Sequence, residues 1–360
     1  MILRNSFAPA RTMGKLSRYF VNLSILALLS FSVVFAQDKG GPASDATSRL
    51  LLQAQKLLEE AKADEAIQLL RSSTNTTSSD ADIAYLLGVA YHLKRDYAQA
   101  VEQLSVAVKR IPKNDAKYRN AVQILGLSHY VLGHPKDAIP YLEETSRLLP
   151  DSAEIAYALG SCYIQTNAPD KSREVFARMF NVRSSSAAAY LINAEIMMRQ
   201  RFEVLAGQEL QKALALDPKL PQINYLLAEI AIYHAQIDRG IALLQKEIEI
   251  NPTFAMAFYW LGEAYSRKLS WDEAVGPLQK SIWLNPYFSG PYIALGKVYL
   301  KKGDLQNAEA MLRRATQMDP NNFSAHHLLA QVLQRANRND EAKKEFETAE
   351  KLRSSTDQNP

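Results

Sequence analysis

Apolar or small residues fall at Phe258, Leu261, Gly262 and Tyr265, a spacing of i, i+3, i+4, i+7 that predicts one buried face of a helix. They recur at Ala274, Leu278 and Ser281 in a second short helix, and Pro286 closes the unit. The pattern returns 34 residues later as Tyr292, Leu295, Gly296, Tyr299, Ala308, Leu312, Ala315 and Pro320. No segment alternates with period two over enough length to suggest a sheet. The chain therefore predicts an all-α fold of paired short helices.

Positions are numbered within a repeat so that the small residue of the second helix stands at 20. Repeats then start at Thr47, Ala81, Arg119, Ala153, Ala187, Pro221, Ala255, Ser289 and Phe323. Position 20 is Ala66, Ala100, Ala138, Ser172, Ala206, Gly240, Ala274, Ala308 and Ala342. Position 8 is Ala54, Gly88, Gly126, Gly160, Ala194, Ala228, Gly262, Gly296 and Ala330. Small residues at both places let two helix backbones cross closely. Position 24 supplies an apolar knob, leucine in seven repeats and Phe176 or Phe346 in the others. Proline at position 32 (Pro112, Pro150, Pro218, Pro252, Pro286, Pro320) stops the second helix. One step, Ala81 to Arg119, is 38 residues, and the excess lies in 113–120. Four residues make close to one helical turn, so an added turn and a looser loop both stand. The weakest junction is Ser184-Ser185-Ser186, followed by Asn193 at position 7, usually a buried leucine. Either Asn193 finds a partner or this junction packs loosely, and it is where the array is expected to open first.

A 34-residue period carrying L-G-x-x-Y, then A-x-x-x-L, then proline resembles the tetratricopeptide repeat family. The resemblance implies an α-solenoid of paired antiparallel helices forming a right-handed superhelix, used as a docking surface for a protein or peptide. It does not name a partner, because one fold serves many. It also implies that positions 2, 5, 6, 9, 12 and 13 of the first helices face a concave side. Read at those positions, position 5 gives Tyr85, Gln123, Tyr157, Leu191, Tyr225, Tyr259 and Ile293. Position 6 gives Leu86, Ile124, Ala158, Ile192, Leu226, Trp260 and Ala294. Glu195, Glu229 and Glu263 occupy position 9, and Arg199, Tyr233, Arg267, Lys301 and Arg335 position 13. The functional reading is a peptide groove with Tyr225, Glu229, Tyr259, Trp260, Glu263 and Arg267 as partner-binding residues.

A plainer reading stands beside it. Tyrosine at position 5 is a frequent choice in the family. Glu195/Arg199 and Glu263/Arg267 are i, i+4 pairs that support any exposed helix by roughly 0.2–0.5 kcal/mol. Position 6 favours the groove, because apolar residues there are expected to lie exposed without a ligand. Trp271 at position 17 reads as packing, whereas Trp283 at position 29 reads as exposed on the second helix, a second contact. The Lys/Asn/Arg carboxylate clamp of chaperone-binding members and the asparagine ladder of glycosyltransferase-associated members are both missing from these positions.

Residues 1–36 read as an export signal. Arg4, Arg11, Lys15 and Arg18 precede an uncharged apolar run from Tyr19 to Ala36, which ends Val34-Phe35-Ala36. Cleavage is expected after Ala36. An uncleaved membrane anchor is the alternative, although the run's core of about 14 residues is short for a span of about 20. No cysteine lies near the cleavage point, which excludes lipoprotein processing. Met13 is an alternative start. Residues 37–46 read as a flexible linker, 47–353 as nine repeats, and 354–360 as a frayed tail.

The net charge of +4 resides in the first 36 residues, since 38 basic and 38 acidic residues remain beyond them. That balance argues against nucleic-acid binding, which needs a basic stripe to neutralise phosphates. The single cysteine, Cys162, reads as a buried unreactive thiol. The six histidines form no H-E-x-x-H and no Cys/His cluster, so no metal site is expected. No nucleophile elbow, Walker loop or dinucleotide fingerprint occurs. Adjacent carboxylates such as Glu59-Glu60 point apart on a helix and read as solvated faces. The sequence thus expects a non-enzymatic scaffold with no cofactor and no small-molecule substrate, acting in a bacterial envelope. Self-association, and service as an accessory to a separate enzyme, are the alternatives.

Overall fold

The structure, a computed structural model, describes residues 42–72 and 80–357. The signal and its cleavage point lie outside them. Among the described residues there are helices and turns but no strand. None of these helices is long and apolar enough to cross a membrane. The chain divides into two compact units at Ser184/Ser185.

The first unit holds four helix pairs. They are α1 (Pro42–Glu59) with α2 (Ala63–Arg71), and α3 (Asp80–Leu93) with α4 (Tyr97–Arg110). Then come α5 (Ala116–Val131) with α6 (Pro135–Leu148), and α7 (Ala153–Gln165) with α8 (Pro169–Met179). The second unit holds five. These are α9 (Ala187–Arg199) with α10 (Glu203–Leu216), α11 (Ile223–Tyr233) with α12 (Ile237–Ile250), and α13 (Ala255–Arg267) with α14 (Trp271–Leu284). The last two pairs are α15 (Ser289–Lys302) with α16 (Leu305–Met318), and α17 (Phe323–Arg335) with α18 (Asn339–Asp357). In each unit a second helix packs on its own partner and on the first helix of the following pair, while first helices such as α13, α15 and α17 touch in succession.

The pairing follows from the small residues. A Cβ built on Gly262 would lie 2.4 Å from Leu278 Cγ. One on Gly296 would lie 2.6 Å from Leu312 Cγ, and one on Gly88 2.4 Å from Leu104 Cγ. Position 8 is therefore the seat of the position 24 knob. Those knobs are fully buried from Leu70 through Leu312, and only Phe346 in the last repeat is partly open.

Every first helix ends in the same turn. Position 15 is left-handed in all nine repeats: Ala61, Arg95, Gly133, Asn167, Arg201, Ala235, Leu269, Gly303 and Asn337 have φ between 57° and 81°. The next N–H returns to the carbonyl of position 11, as from Ser270 to Tyr265 at 3.0 Å and from Asp304 to Tyr299 at 2.9 Å. This is the Schellman closure of a helix C-terminus, which normally selects glycine. Only two of the nine are glycine, so the sequence carries little sign of it.

Ion pairs knit successive repeats through matching positions. Lys268 at position 14 meets Asp238 at position 18 of the repeat before it at 2.5 Å, and Lys94–Asp64 and Lys302–Asp272 repeat the arrangement. All three pairs are solvent-exposed and so add little each.

Several expectations resolve. The long step is an added turn: α5 begins at Ala116, three residues ahead of its repeat start, and is 16 residues long. Asp115 caps it by accepting from the Lys117 N–H at 2.8 Å. The segment read as a linker is corrected in part, because α1 already begins at Pro42. Residues 37–41 lie outside the described residues. The frayed tail, 354–360, is likewise corrected in part, since α18 continues to Asp357, and residues 358–360 lie outside the described residues. Asn193 is fully buried and finds a partner, donating from Nδ2 to Glu209 Oε2 at 2.8 Å. Cys162 is fully buried, and burial pushes its thiol up to about 12.

Candidate functional site

The six residues singled out in sequence lie on α11 and α13, successive first helices of the second unit. Helical spacing puts Tyr225 and Glu229 one turn apart, as it does Tyr259, Glu263 and Arg267. The α13 pair Tyr259 and Trp260 sits edge to face at 5.7 Å between ring centroids. Tyr259 also abuts Phe288 at 5.2 Å, and Tyr225 abuts Phe254 at 5.1 Å. Phe254 and Phe288 each stand just before the first helix of a repeat, so the entry to a helix props up the tyrosine beside it. These contacts fix ring orientation while leaving all three rings partly open.

Polar atoms at this face are short of partners. The Trp260 indole N–H is shielded from solvent and makes no hydrogen bond; it lies beside the Tyr225 hydroxyl without reaching bonding geometry. Burial raises the Glu229 carboxyl above the ordinary carboxylate range. It raises Glu195 as well, with Arg199 holding it back in part. Burial first, and then the Glu263 charge, push the Tyr259 hydroxyl up to about 12, against a smaller pull from Arg267. Tyr225 moves the same way through burial and the Glu229 charge. Carboxylates and hydroxyls stripped of water in this manner gain from a partner that supplies hydrogen-bond donors or positive charge.

Two expectations change. Position 6 is not an exposed apolar stripe. Of the seven position 6 residues named above, Leu86, Ile124, Ala158, Leu226 and Ala294 are buried, and Ile192 and Trp260 are half-open. The floor is narrower than the sequence suggested, because neighbouring helices cover most of it. Arg267 is exposed as expected, but its Nη1 also reaches the Ile232 carbonyl at 3.5 Å, and Arg335 Nη1 reaches the Leu300 carbonyl at 3.1 Å. Both guanidiniums therefore sit at the C-terminal end of the preceding first helix, where a cation is favoured. Part of the basic flank serves the array itself.

Outside this face, Trp271 packs partly buried against the core and Trp283 is 71% exposed, with Lys280 Nζ 3.8 Å from its ring centroid. The structure also gathers a group that sequence spacing missed. His129, His134 and Asp137 place one ligand atom each within 4.8 Å of one another. The left-handed turn at Gly133 lies between the histidines, so neither a helical nor a hairpin spacing announces them.

A tetratricopeptide repeat model matches residues 132–194 and 299–353, and a second tetratricopeptide repeat model matches 51–115. Among curated proteins, the rhomboid protease GluP of Bacillus subtilis (strain 168) is 34% identical over 98 residues. That stretch is 27% of this chain and 19% of the protease, so the chain spans about a fifth of that relative. Among solved structures, MamA from Desulfovibrio magneticus RS-1 aligns over 48% of this chain and 97% of its own, at 19% identity and a TM-score of 0.44. The Cut9–Hcn1 complex of the APC/C aligns over 90% of this chain and 64% of its own, at 17% identity and a TM-score of 0.43. YrrB, described as a repeat protein with an unusual peptide-binding site, aligns over 52% and 96%, at 18% identity and a TM-score of 0.39.

Proposed function

Because the chain belongs to the tetratricopeptide repeat family, we propose that it is a non-catalytic scaffold that holds an extended protein segment on the first-helix face of its second unit. The observation that carries this is the gathering of the half-open rings of Tyr225, Tyr259 and Trp260, with the shielded Trp260 indole N–H, on the same face as Glu229, a carboxylate that burial has deprived of water. Such a face suits a segment with apolar side chains for the rings, an acceptor for the indole N–H, and basic groups for Glu229 and Glu263. Rigid aromatic anchors of this kind are worth about 2 kcal/mol or more each when they fill a partner's pocket.

The proposal includes export. The basic then apolar character of residues 1–36 supports a signal cleaved after Ala36, and a site of action in a bacterial envelope, in assembly or secretion. The test is a pull-down from envelope extract with the full chain as bait, beside a Tyr225→Ala/Tyr259→Ala/Trp260→Ala variant whose helicity is checked by circular dichroism. Trp260→Ala alone, which keeps both tyrosine packings, runs as a milder variant. A partner held by the parent and lost from both folded variants supports the reading. Equal recovery by all three removes it.

A second reading is self-association through the second-helix side. Trp283 and Tyr287 are 71% and 86% exposed there, an unusual display for large aromatic rings. Sedimentation of the parent against Trp283→Ala decides it, since a self-associating chain loses its larger species in the variant.

A further inference from the structure

The turn between α5 and α6 departs from the rest of the array in a coordinated way. Position 11 is tyrosine in four other repeats, and Tyr163, Tyr265 and Tyr299 use their hydroxyls to bond the residue at position 25 of the preceding repeat. In the third repeat position 11 is His129. Position 16, the residue before the second helix, is an aspartate that caps its helix at Asp96 and Asp304. Here it is His134, and its side chain makes no cap hydrogen bond. Asp137 follows in the first turn of α6.

Backbone geometry brings the three together. Gly133 is left-handed at φ 73°, and the His134 N–H returns to the His129 carbonyl at 2.9 Å. The two imidazoles end 6.1 Å apart between centroids. His129 is held by a parallel stack on Tyr141, at 5.9 Å and 1° between planes, and its Nδ1 is shielded from solvent with no hydrogen-bond partner. A buried ring nitrogen left unbonded costs free energy and is uncommon in folded proteins, so it asks for an explanation.

We propose that His129, His134 and Asp137 form a binding site for a divalent first-row transition metal ion, of which zinc is the representative. Two imidazole nitrogens and one carboxylate oxygen are a ligand set suited to such ions, and one position remains for water. At metal–ligand distances of about 2.1 Å, tetrahedral ligand atoms stand roughly 3.4 Å apart. The observed atoms lie within 4.8 Å of one another, and His134 and Asp137 are exposed and free to rotate inward onto the fixed His129. A bound ion would tie the C-terminus of α5 to the first turn of α6. The site is independent of the protein-binding face proposed above.

The experiment uses the full chain purified without a histidine tag, stripped with chelator and titrated with zinc chloride by calorimetry. Cobalt chloride gives a second readout through the visible absorption of the ligated ion. The expected result is one zinc per chain, a zinc-dependent rise in melting temperature, and cobalt bands of a low-symmetry four-coordinate site. His134→Ala and Asp137→Asn, both at exposed positions, each weaken binding at least about 10-fold. His234→Ala, at an exposed histidine elsewhere, leaves it unchanged. Absence of saturable binding up to millimolar zinc overturns the proposal, and so does binding that survives both substitutions at His134 and Asp137.

Discussion

The fifth and seventh repeats have the same fold and close their cores by different chemistry. In the seventh, Gly262 lets Leu278 lie directly on the backbone of α13, and Leu261 fills position 7. In the fifth, the knob Leu210 is buried just as fully, but position 7 is Asn193, which is held by its hydrogen bond to Glu209, with Lys212 Nζ on the same carboxylate at 3.0 Å. Glu209 is 1% exposed, so this is a buried polar cluster where its counterpart is apolar. The outer faces differ in parallel. Positions 5 and 6 carry Leu191 and Ile192 in the fifth repeat but Tyr259 and Trp260 in the seventh. The repeat with the interlocked apolar core is the one that presents two large aromatic rings, and a rigid support would suit the anchoring role proposed for them.

The contrast can be broken hardest at Glu209. Glu209→Ala should destabilise the protein by about 1–3 kcal/mol, since it takes the Glu209 acceptor away from the buried Asn193 amide. The double change Asn193→Leu/Glu209→Leu should recover most of that loss, because replacing both partners of a buried polar contact costs far less than removing one. Urea unfolding midpoints of the single and double variants check the pair. If the double variant is as unstable as the single one, the cluster is not what closes this core.

Gly262→Ala is the matching test in the seventh repeat. Alanine is favoured over glycine in a helix by about 1 kcal/mol. The new Cβ would nevertheless stand 2.4 Å from Leu278 Cγ, and overpacking of this kind costs about 1–3 kcal/mol. Net destabilisation is expected in thermal melts, whereas a gain would mean that Leu278 moves aside freely. A smaller and opposite effect is expected at Leu269, which is left-handed at φ 62° and 67% exposed. Leu269→Gly should stabilise by about 0.5–1 kcal/mol through relief of the backbone.

The smallest effect concerns pH. Burial raises the Glu195 carboxyl in the folded protein, so the folded state holds its proton to higher pH than the unfolded chain. Stability at this site therefore falls as pH rises through the window between the unfolded value and the raised folded one. Glu195→Gln should be more stable than the parent at neutral pH, with the difference shrinking on acidification. Melting temperatures across that range would show no such convergence if the carboxylate were well hydrated.

Much of this was legible in the chain. The small residues at positions 8 and 20 and the knob at 24 announced the helix pairs, because close crossing leaves no other choice of side chain. The rings of Tyr225, Tyr259 and Trp260 could be placed on the first helices from the repeat frame. Their exposure could not, since it depends on how far the next first helix covers position 6, and Leu226 is buried where Trp260 is not. The left-handed turns were hidden because leucine, arginine and alanine occupy positions that glycine would have marked. Asn193 needed an acceptor 16 residues away on another helix. His129, His134 and Asp137 escaped notice because a reversal of the chain separates them.

The face of the second unit is tested most directly by photocrosslinking in envelope extract. The photoreactive residue p-benzoylphenylalanine is placed at Tyr259 in one sample and at Trp283 in another. The account predicts a discrete protein adduct from position 259 and none from 283. Adducts from 283 with none from 259 would contradict it, and would move the working surface to the second helices.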